Sequence, residues 1–422
     1  MIALVDCNSF FCSVEKVFHP GLRGKPVCVL SNNDGCIVAL TPEAKRRGLH
    51  RGDPIFKVKS IVDANHVTVF STNMQLYAAM SKRVTNILRK SVAKVENYSI
   101  DESFCYLDGY ERLSSLEDFM RDIAQRIKLW TDIPVSVGVA PTKTLAKMGS
   151  KFAKQYKGYR SVCMIDNEQK RRRALELFDL ADVWGIGRHT LQQLNYFGIH
   201  TPLEFADRKE GWVKAHFHKP AVQTWLELNG VPCIDTSEVV RNQNICTSRS
   251  FGQMVGDLPS LKASVATFAS SCANKLRGQR SVAGAVTVFL SSNRFRDDLQ
   301  QYANAATYYF VTPTADTLEI TQGALRVLEQ IYCKGILYKK SGVVVSEISA
   351  ATSVQYDLFD GIRNRGERQQ LMTAIDQLNH RYGPKTVQLV VEGEKEQRWK
   401  VKCEHRSPNY LSKFDEIMMV KI

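Results

Sequence analysis

A chain of 422 residues is too long for one ordinary hydrophobic core, so roughly two to four domains are expected. Its 44% hydrophobic and 24% charged residues suit a soluble globular protein; no apolar run nears the length of a membrane span, and no secretory leader is expected. The formal net charge of +14, spread over Lys45-Arg46-Arg47, Lys151 to Arg160, Lys170 to Arg173 and Arg277 to Arg296, points to a polyanion, nucleic acid ahead of anionic membrane.

The eleven cysteines are scattered without a C-x-x-C pair, the usage of a reducing cytoplasm rather than of a disulfide framework or zinc module. His216 and His218 have no Cys or further His nearby to complete a metal site.

In chain order, Met1-Ile2-Ala3-Leu4-Val5 reads as a buried strand that opens at Asp6. Small polar residues after it leave backbone N–H groups near a helix start, where phosphate can bind. Pro26 to Leu30 and Cys36 to Leu40 are strands around the turn Ser31-Asn32-Asn33-Asp34-Gly35. Thr41 caps a helix with Pro42 in its first position, and Gly48 stops it. Met74 to Val95 has helical periodicity, and Leu116 to Trp130 is amphipathic. Val135 to Val139 is a strand and Thr142 to Lys154 a basic helix, which completes an antiparallel ferredoxin-like α+β unit.

The chemistry centres on Ser99-Ile100-Asp101-Glu102, a hairpin tip between two short strand-like runs. If the Asp6 strand lies beside this hairpin, Asp6, Asp101 and Glu102 converge and repel one another. Divalent cations relieve that repulsion, and hard oxygen ligands suit Mg²⁺. The plainer alternative is three solvated acids at strand ends.

Residues 170–240 are helical. Val183-Trp184-Gly185-Ile186-Gly187-Arg188 followed by Phe197-Gly198-Ile199-His200-Thr201 reads as a helix-hairpin-helix, in which Gly185 and Gly187 let N–H groups approach a DNA phosphate beside Arg188. An ordinary αα-hairpin with glycine stops is the alternative. From Ile245 to Ser349 a βαββαβ order makes a second small sheet backed by two helices, with Arg249, Lys275, Arg277, Arg280, Arg294 and Arg296 on a basic side. It carries no catalytic constellation and reads as a DNA-gripping module. Beyond Ala350, Gln355-Tyr356-Asp357-Leu358-Phe359 has the character of a docking peptide, and a helix from Gln369 to Leu378 leads into a basic tail.

Three runs, Asp6 to Glu15, Tyr98 to Glu102 and Gly138 to Lys147, occur with the helix-hairpin-helix in the same order in Y-family translesion DNA polymerases. Over roughly residues 1–350 the chain resembles that family. Leu30 to Cys36, Val183 to Arg188, Ser248 to Gly252 and the long tail are similar to its branch serving bacterial SOS mutagenesis. The resemblance implies an α+β multidomain, right-hand-like polymerase: a ferredoxin-like palm (1–17 and 75–165), small fingers (18–74), a helix-hairpin-helix thumb (166–240), a βαββαβ little finger (243–350) and a tail (351–422). It implies error-prone, DNA-directed translesion synthesis without proofreading.

Asp6, Asp101 and Glu102 are the implied catalytic residues, and with Cys7 through its carbonyl they hold two Mg²⁺. The implied nucleotide contacts are Phe10, Phe11, Lys45 and Lys154. Phe11 matches the steric gate against a ribose 2′-hydroxyl, while Phe10 beside it suits the core better. Relatives often carry Arg at position 45 and Tyr at position 42, where this chain has Lys45 and Pro42, so a bidentate fork becomes a point charge. Gly185, Gly187, Arg188, Arg249 and Arg294 are the expected DNA contacts. Gln355, Leu358 and Phe359 resemble a β sliding-clamp peptide. Implied partners are primer-template DNA, deoxynucleoside triphosphates, a UmuD′ homodimer, RecA and the β sliding clamp, in the cytoplasm and without membrane. A non-catalytic DNA scaffold would not need the three acids, and a nucleotidyl cyclase on a similar palm would not need the helix-hairpin-helix or the basic second module.

Overall fold

The computed structural model describes residues 1–110, 115–236, 241–354, 360–362, 364–393 and 399–418. It divides into two compact units, Met1–Val239 with His405–Ile422, and Val240–Glu404.

The first unit opens with β1 (Ile2–Cys7) and α1 (Phe10–Phe18). Next come β2 (Val27–Leu30), β3 (Ile37–Leu40), α2 (Pro42–Lys45), α3 (Ile55–Ala64) and β4 (Thr68–Ser71). These are followed by α4 (Met74–Ser91), β5 (Lys94–Asn97), β6 (Glu102–Tyr106), α5 (Leu116–Thr131), β7 (Val135–Ala140), α6 (Lys143–Gln155) and β8 (Val162–Met164). A helical run closes it: α7 (Glu168–Leu177), α8 (Arg188–Tyr196), α9 (Pro202–Ala206), α10 (Glu210–His216) and α11 (Lys219–Leu228). Side-chain caps mark many of the starts. Thr41, Asn73, Ser115 and Thr142 each accept a hydrogen bond from a first-turn N–H. The periodic run from Met74 does not reach Val95: Val92 is already extended, and β5 begins at Lys94 to pair with β6.

The main sheet has the order β5-β6-β1-β7-β8. β1 lies at its centre, antiparallel to β6 and β7. The expected antiparallel sheet is corrected at one edge, where β8 runs parallel to β7 because α6 makes the crossover between them. Alternation along β1 separates two cores. Ala3, Val5 and Cys7 pack with residues of α1, α4 and α5, while Ile2 and Leu4 pack with Phe104 and α6. The second core continues into the α7–α11 helices. There Thr142 Oγ1 donates to Glu227 O (2.9 Å) and the Thr144 N–H to Glu227 Oε2 (2.9 Å), fixing α11 at the start of α6. A smaller sheet, β3-β2-β4, holds β2 parallel to β4.

The second unit is β9 (Ile245–Val255), α12 (Leu258–Gly278), β10 (Ser281–Ser291), β11 (Ala303–Thr314), α13 (Thr317–Ile331) and β12 (Tyr338–Ala350), followed by α14 (Arg365–Tyr382). Its sheet, β11-β10-β12-β9, is antiparallel throughout. α14 is longer than the apolar pattern indicated because ion pairs hold it: Arg277 clasps Asp376 (2.7 Å), Arg368 reaches Asp316 (2.8 Å) and Arg365 reaches Glu319 (3.1 Å). The tail is shared out. Up to Glu404 it belongs to this unit, with Trp399 buried against Phe268, and from His405 it belongs to the first.

Candidate active site at the end of the central strand

β1 ends at the site. Antiparallel register sets Asp6 directly opposite Glu102 on β6, so both carboxylates leave the same face of the sheet. Asp101 belongs to the turn just before β6, and its carbonyl accepts the Cys7 N–H (2.9 Å). Ser99 shapes that turn. Its hydroxyl donates to Asp101 Oδ1 (2.6 Å) and accepts the Glu102 N–H (3.0 Å), while the Ser99 N–H donates to Glu102 O (3.1 Å). The structure thus brings all three acids to one end of one strand pair.

α6 supplies the counter-charge. Lys147 Nζ lies 2.8 Å from Glu102 Oε1, and Lys154 Nζ lies 3.3 Å from Asp6 Oδ2. Two helical turns separate these lysines, so they share one helix face. They reach the acids because α6 rests almost directly on β7. A Cβ built at Gly138 would fall 2.0 Å from Ala146 O and 2.2 Å from Ser150 N. Lys147 Nζ also lies over the Tyr98 ring (4.5 Å), and Trp184 Nε1 donates to the Tyr98 hydroxyl (3.1 Å).

Burial pushes the Asp6 carboxyl above its ordinary value; Lys154 pulls the other way and does not win, and Glu102 and Asp101 add to the rise. Among the described residues, no group of three or more His, Cys, Asp or Glu side chains is arranged so that it could hold a metal ion as it stands. The donor set still fits one. Three carboxylates and the Cys7 carbonyl are hard oxygen donors, and their mutual repulsion is what a divalent cation relieves.

Other expected residues fall as follows. Phe10 is 3% exposed within the core, the role its place beside Phe11 suited better. Phe11 is only partly buried and stacks on Tyr77, with ring centroids 4.5 Å apart. Lys45 is exposed at the end of α2. Gly185 has φ +94°, and a Cβ there would meet Thr224 Oγ1 at 2.1 Å, so only glycine fits. Gly187 caps α8 and Arg188 begins it, both exposed. Arg249 is exposed on β9, and Arg294, between β10 and β11, lies 4.9 Å over the exposed Phe295 ring. Gln355, Leu358 and Phe359 lie outside the described residues.

Sequence reasoning passed over Lys147, although its spacing from Lys154 was visible. It also passed over Lys143, buried with Nζ 3.0 Å from Glu96 Oε2 and 2.6 Å from Thr236 Oγ1. Burial alone would raise Glu96; hydrogen bonds from Thr236, Tyr106 and Lys143 bring it below the ordinary range. No local signal announced that pair.

The impB/mucB/samB family matches residues 5–151, its C-terminal domain matches 242–358, and a domain of unknown function matches 369–420. Protein UmuC of Salmonella typhimurium is 38% identical over 423 residues, covering 100% of both chains, and protein ImpB of Salmonella typhimurium is 37% identical over 425 residues, again covering 100% of both. In structure, a Y-family DNA polymerase chimera of Dbh and Dpo4 matches with a TM-score of 0.64 at 21% identity, over 83% of this chain and 100% of that one. An insertion ternary complex of Dbh DNA polymerase matches with a TM-score of 0.53 at 22% identity, over the same shares. These structural likenesses show the fold. With the full-length likeness to UmuC, they establish that the chain belongs to the impB/mucB/samB family, the UmuC-like branch of the Y-family DNA polymerases.

Proposed function

We propose that the chain carries out error-prone, template-directed translesion DNA synthesis with Asp6, Asp101 and Glu102 as its catalytic acids. The observation that carries this reading is the pairing of Asp6 with Glu102 across β1 and β6, with Asp101 on the adjoining turn. Y-family polymerases depend on a divalent metal. Two Mg²⁺ held by these acids and the Cys7 carbonyl would supply activation of the primer 3′-hydroxyl and neutralisation of the triphosphate.

The chain's own groups do the rest. Lys154 and Lys147 neutralise Asp6 and Glu102 in the free protein, and Lys154 exchanges its carboxylate for a phosphate when a nucleotide enters. Lys45, exposed and unbranched, adds a point charge to the triphosphate. Phe11, partly open in the first turn of the helix that follows Asp6, excludes a 2′-hydroxyl, while Phe10 anchors that helix in the core.

In this reading the palm (1–17 and 75–165) holds the chemistry, the fingers (18–74) cover the nucleotide, and the thumb (166–240) and little finger (243–350) hold DNA. Gly185, Gly187 and Arg188 offer backbone N–H groups and a guanidinium to phosphate without reading sequence. Arg249 and Arg294 add cations from the little finger. Gln355, Leu358 and Phe359 dock the β sliding clamp, and a UmuD′ homodimer and RecA complete a cytoplasmic SOS polymerase without proofreading. Eleven free cysteines suit that compartment.

Primer extension on an abasic template with Mg²⁺, a UmuD′ dimer and an activated RecA filament tests the reading. Wild type is expected to extend past the lesion and Asp101→Ala to stop, with unchanged primer-template binding. Equal extension by both would displace the chemistry from this turn. No extension by either, with binding intact, would leave a DNA scaffold.

A further inference from the structure

Residues 405–410 seat against the start of α4 and the C-terminal half of α1. The Ser71 N–H donates to His405 O and the His405 N–H to Ser71 Oγ, both at 2.9 Å. Asn73, the cap of α4, donates from Nδ2 to Ser407 O (2.8 Å) and Ser407 Oγ (3.2 Å). Tyr410 stacks on Phe18 at 4.8 Å and reaches His19 Nε2 at 3.3 Å. Ser71, Asn73, Ser407 and Asn409 are all buried, so this polar seat is sealed from solvent.

At its centre is Glu15, 0% exposed and one helical turn beyond Phe11 on α1. Glu15 Oε1 accepts the Ser407 hydroxyl (3.0 Å) and the Tyr77 hydroxyl (2.7 Å), and Oε2 has no hydrogen-bond partner among the described residues. Tyr77 is itself buried, and its ring carries Phe11 stacked upon it at an interplanar angle of 17°. One chain of contacts therefore runs from the tail to the aromatic in the first turn of α1: Ser407, Glu15, Tyr77, Phe11.

We propose that Ser407 is a positioning residue for nucleotide selection, fixing Phe11 through Glu15 and Tyr77 and so sharpening the rejection of ribonucleotides. The inference rests on the reading of Phe11 as the sugar gate. Two hydroxyl donors on one carboxylate oxygen fix its rotamer. With the tail donor removed, a buried carboxyl already short of partners reorients toward other donors. Its reorientation draws the Tyr77 hydroxyl with it and tilts the ring on which Phe11 rests. The stretch matched by the domain of unknown function thereby acquires a part in substrate choice.

The test is the ratio of kcat/KM for a deoxynucleotide to that for the matching ribonucleotide, in the full-length chain with UmuD′, RecA and Mg²⁺. The ratio is insensitive to the fraction of active protein, so a loss of stability does not move it. Phe11→Ala is expected to lower it by roughly a hundredfold and Ser407→Ala by about fivefold, the scale of one lost buried hydrogen bond. Ser407→Thr, which keeps the hydroxyl, restores it. Tyr77→Phe keeps the ring and loses the hydroxyl; it reproduces the Ser407→Ala loss, and the double variant adds nothing. A response to Phe11→Ala with none to Ser407→Ala or Tyr77→Phe overturns the inference and leaves the gate standing. No response to Phe11→Ala overturns the gate itself.

Discussion

In the first unit, helices pack against both faces of the sheet β5-β6-β1-β7-β8, and Asp6 and Glu102 meet near the end of its central strand. In the second unit, among the described residues, helices cover one face and leave the other bare. Val286, Tyr308 and Phe310 turn toward Gly323 of α13, while Thr287, Phe289, Thr307, Tyr309 and Val344 occupy the opposite face. No Asp or Glu stands at those positions; Thr287 and Thr307 share a hydrogen bond of 2.8 Å across the strands. Positions without carboxylates can lie against phosphate without repulsion, whereas clustered carboxylates must be neutralised before phosphate approaches. The two sheets therefore differ in charge: one gathers three acids at a point, and the other carries none at these five positions.

Changes at the point should cost rate. Asp6→Ala and Glu102→Ala are each expected to slow primer extension by roughly a thousandfold or more, with the melting temperature little changed. A variant that loses stability in proportion to activity would make these acids structural. A steric change under the site should cost fold instead. Gly138→Ala drives a methyl into the α6 backbone and is expected to destabilise the unit by about 3 kcal/mol, measurable by urea unfolding. Unchanged stability would mean that α6 can lift, and with it Lys147 and Lys154.

Changes at the exposed arginines of the second unit should cost affinity alone, although Arg249, paired with Ser341 whose hydroxyl meets Ser264 of α12, stands on the helix side of the edge strand and not on the bare face. Arg249→Ala with Arg294→Ala is expected to weaken primer-template binding several-fold, equally for all sequences, and to lower the salt dependence by about one unit per lost phosphate contact. A sequence-dependent loss would convert these from phosphate contacts into base contacts.

The smallest effect is on pH response, and it has opposite signs in the two units. Asp6, raised by burial, favours the folded state below its unfolded value of 3.8 and withdraws that contribution as pH rises through its folded value. On the proposed reading that Mg²⁺ binds the ionised site, it should raise the melting temperature more at pH 8 than at pH 4. Asp360 is held down to about 2, chiefly by the Arg365 hydrogen bond. Its contribution is present above 3.8 and is lost as pH falls toward 2. Hydrogen exchange in the first turns of α14 should therefore quicken in acid while the β10–β12 ladder stays protected. Uniform loss of protection would mean that α14 does not open independently.

Much of this molecule was legible in order along the chain. The apolar run ending at Asp6, the serine-led turn before Glu102, the capped start at Thr41 and the glycines around Ile186 all announce themselves through local propensity, because turns, caps and periodicity depend on neighbours a few residues away. The βαββαβ order of the second unit was readable for the same reason. Pairing across distance was not. The parallel edge at β8, the landing of two lysines on two acids and the burial of Lys143 against Glu96 depend on how closely α6 approaches the sheet at Gly138. The seat of Ser407 on Glu15 joins groups 392 residues apart. Sequence determined which elements form and where acids, lysines and glycines stand on them; tertiary structure decided which of those charges are neutralised and by what, since a buried polar group takes whichever partner packing brings within reach.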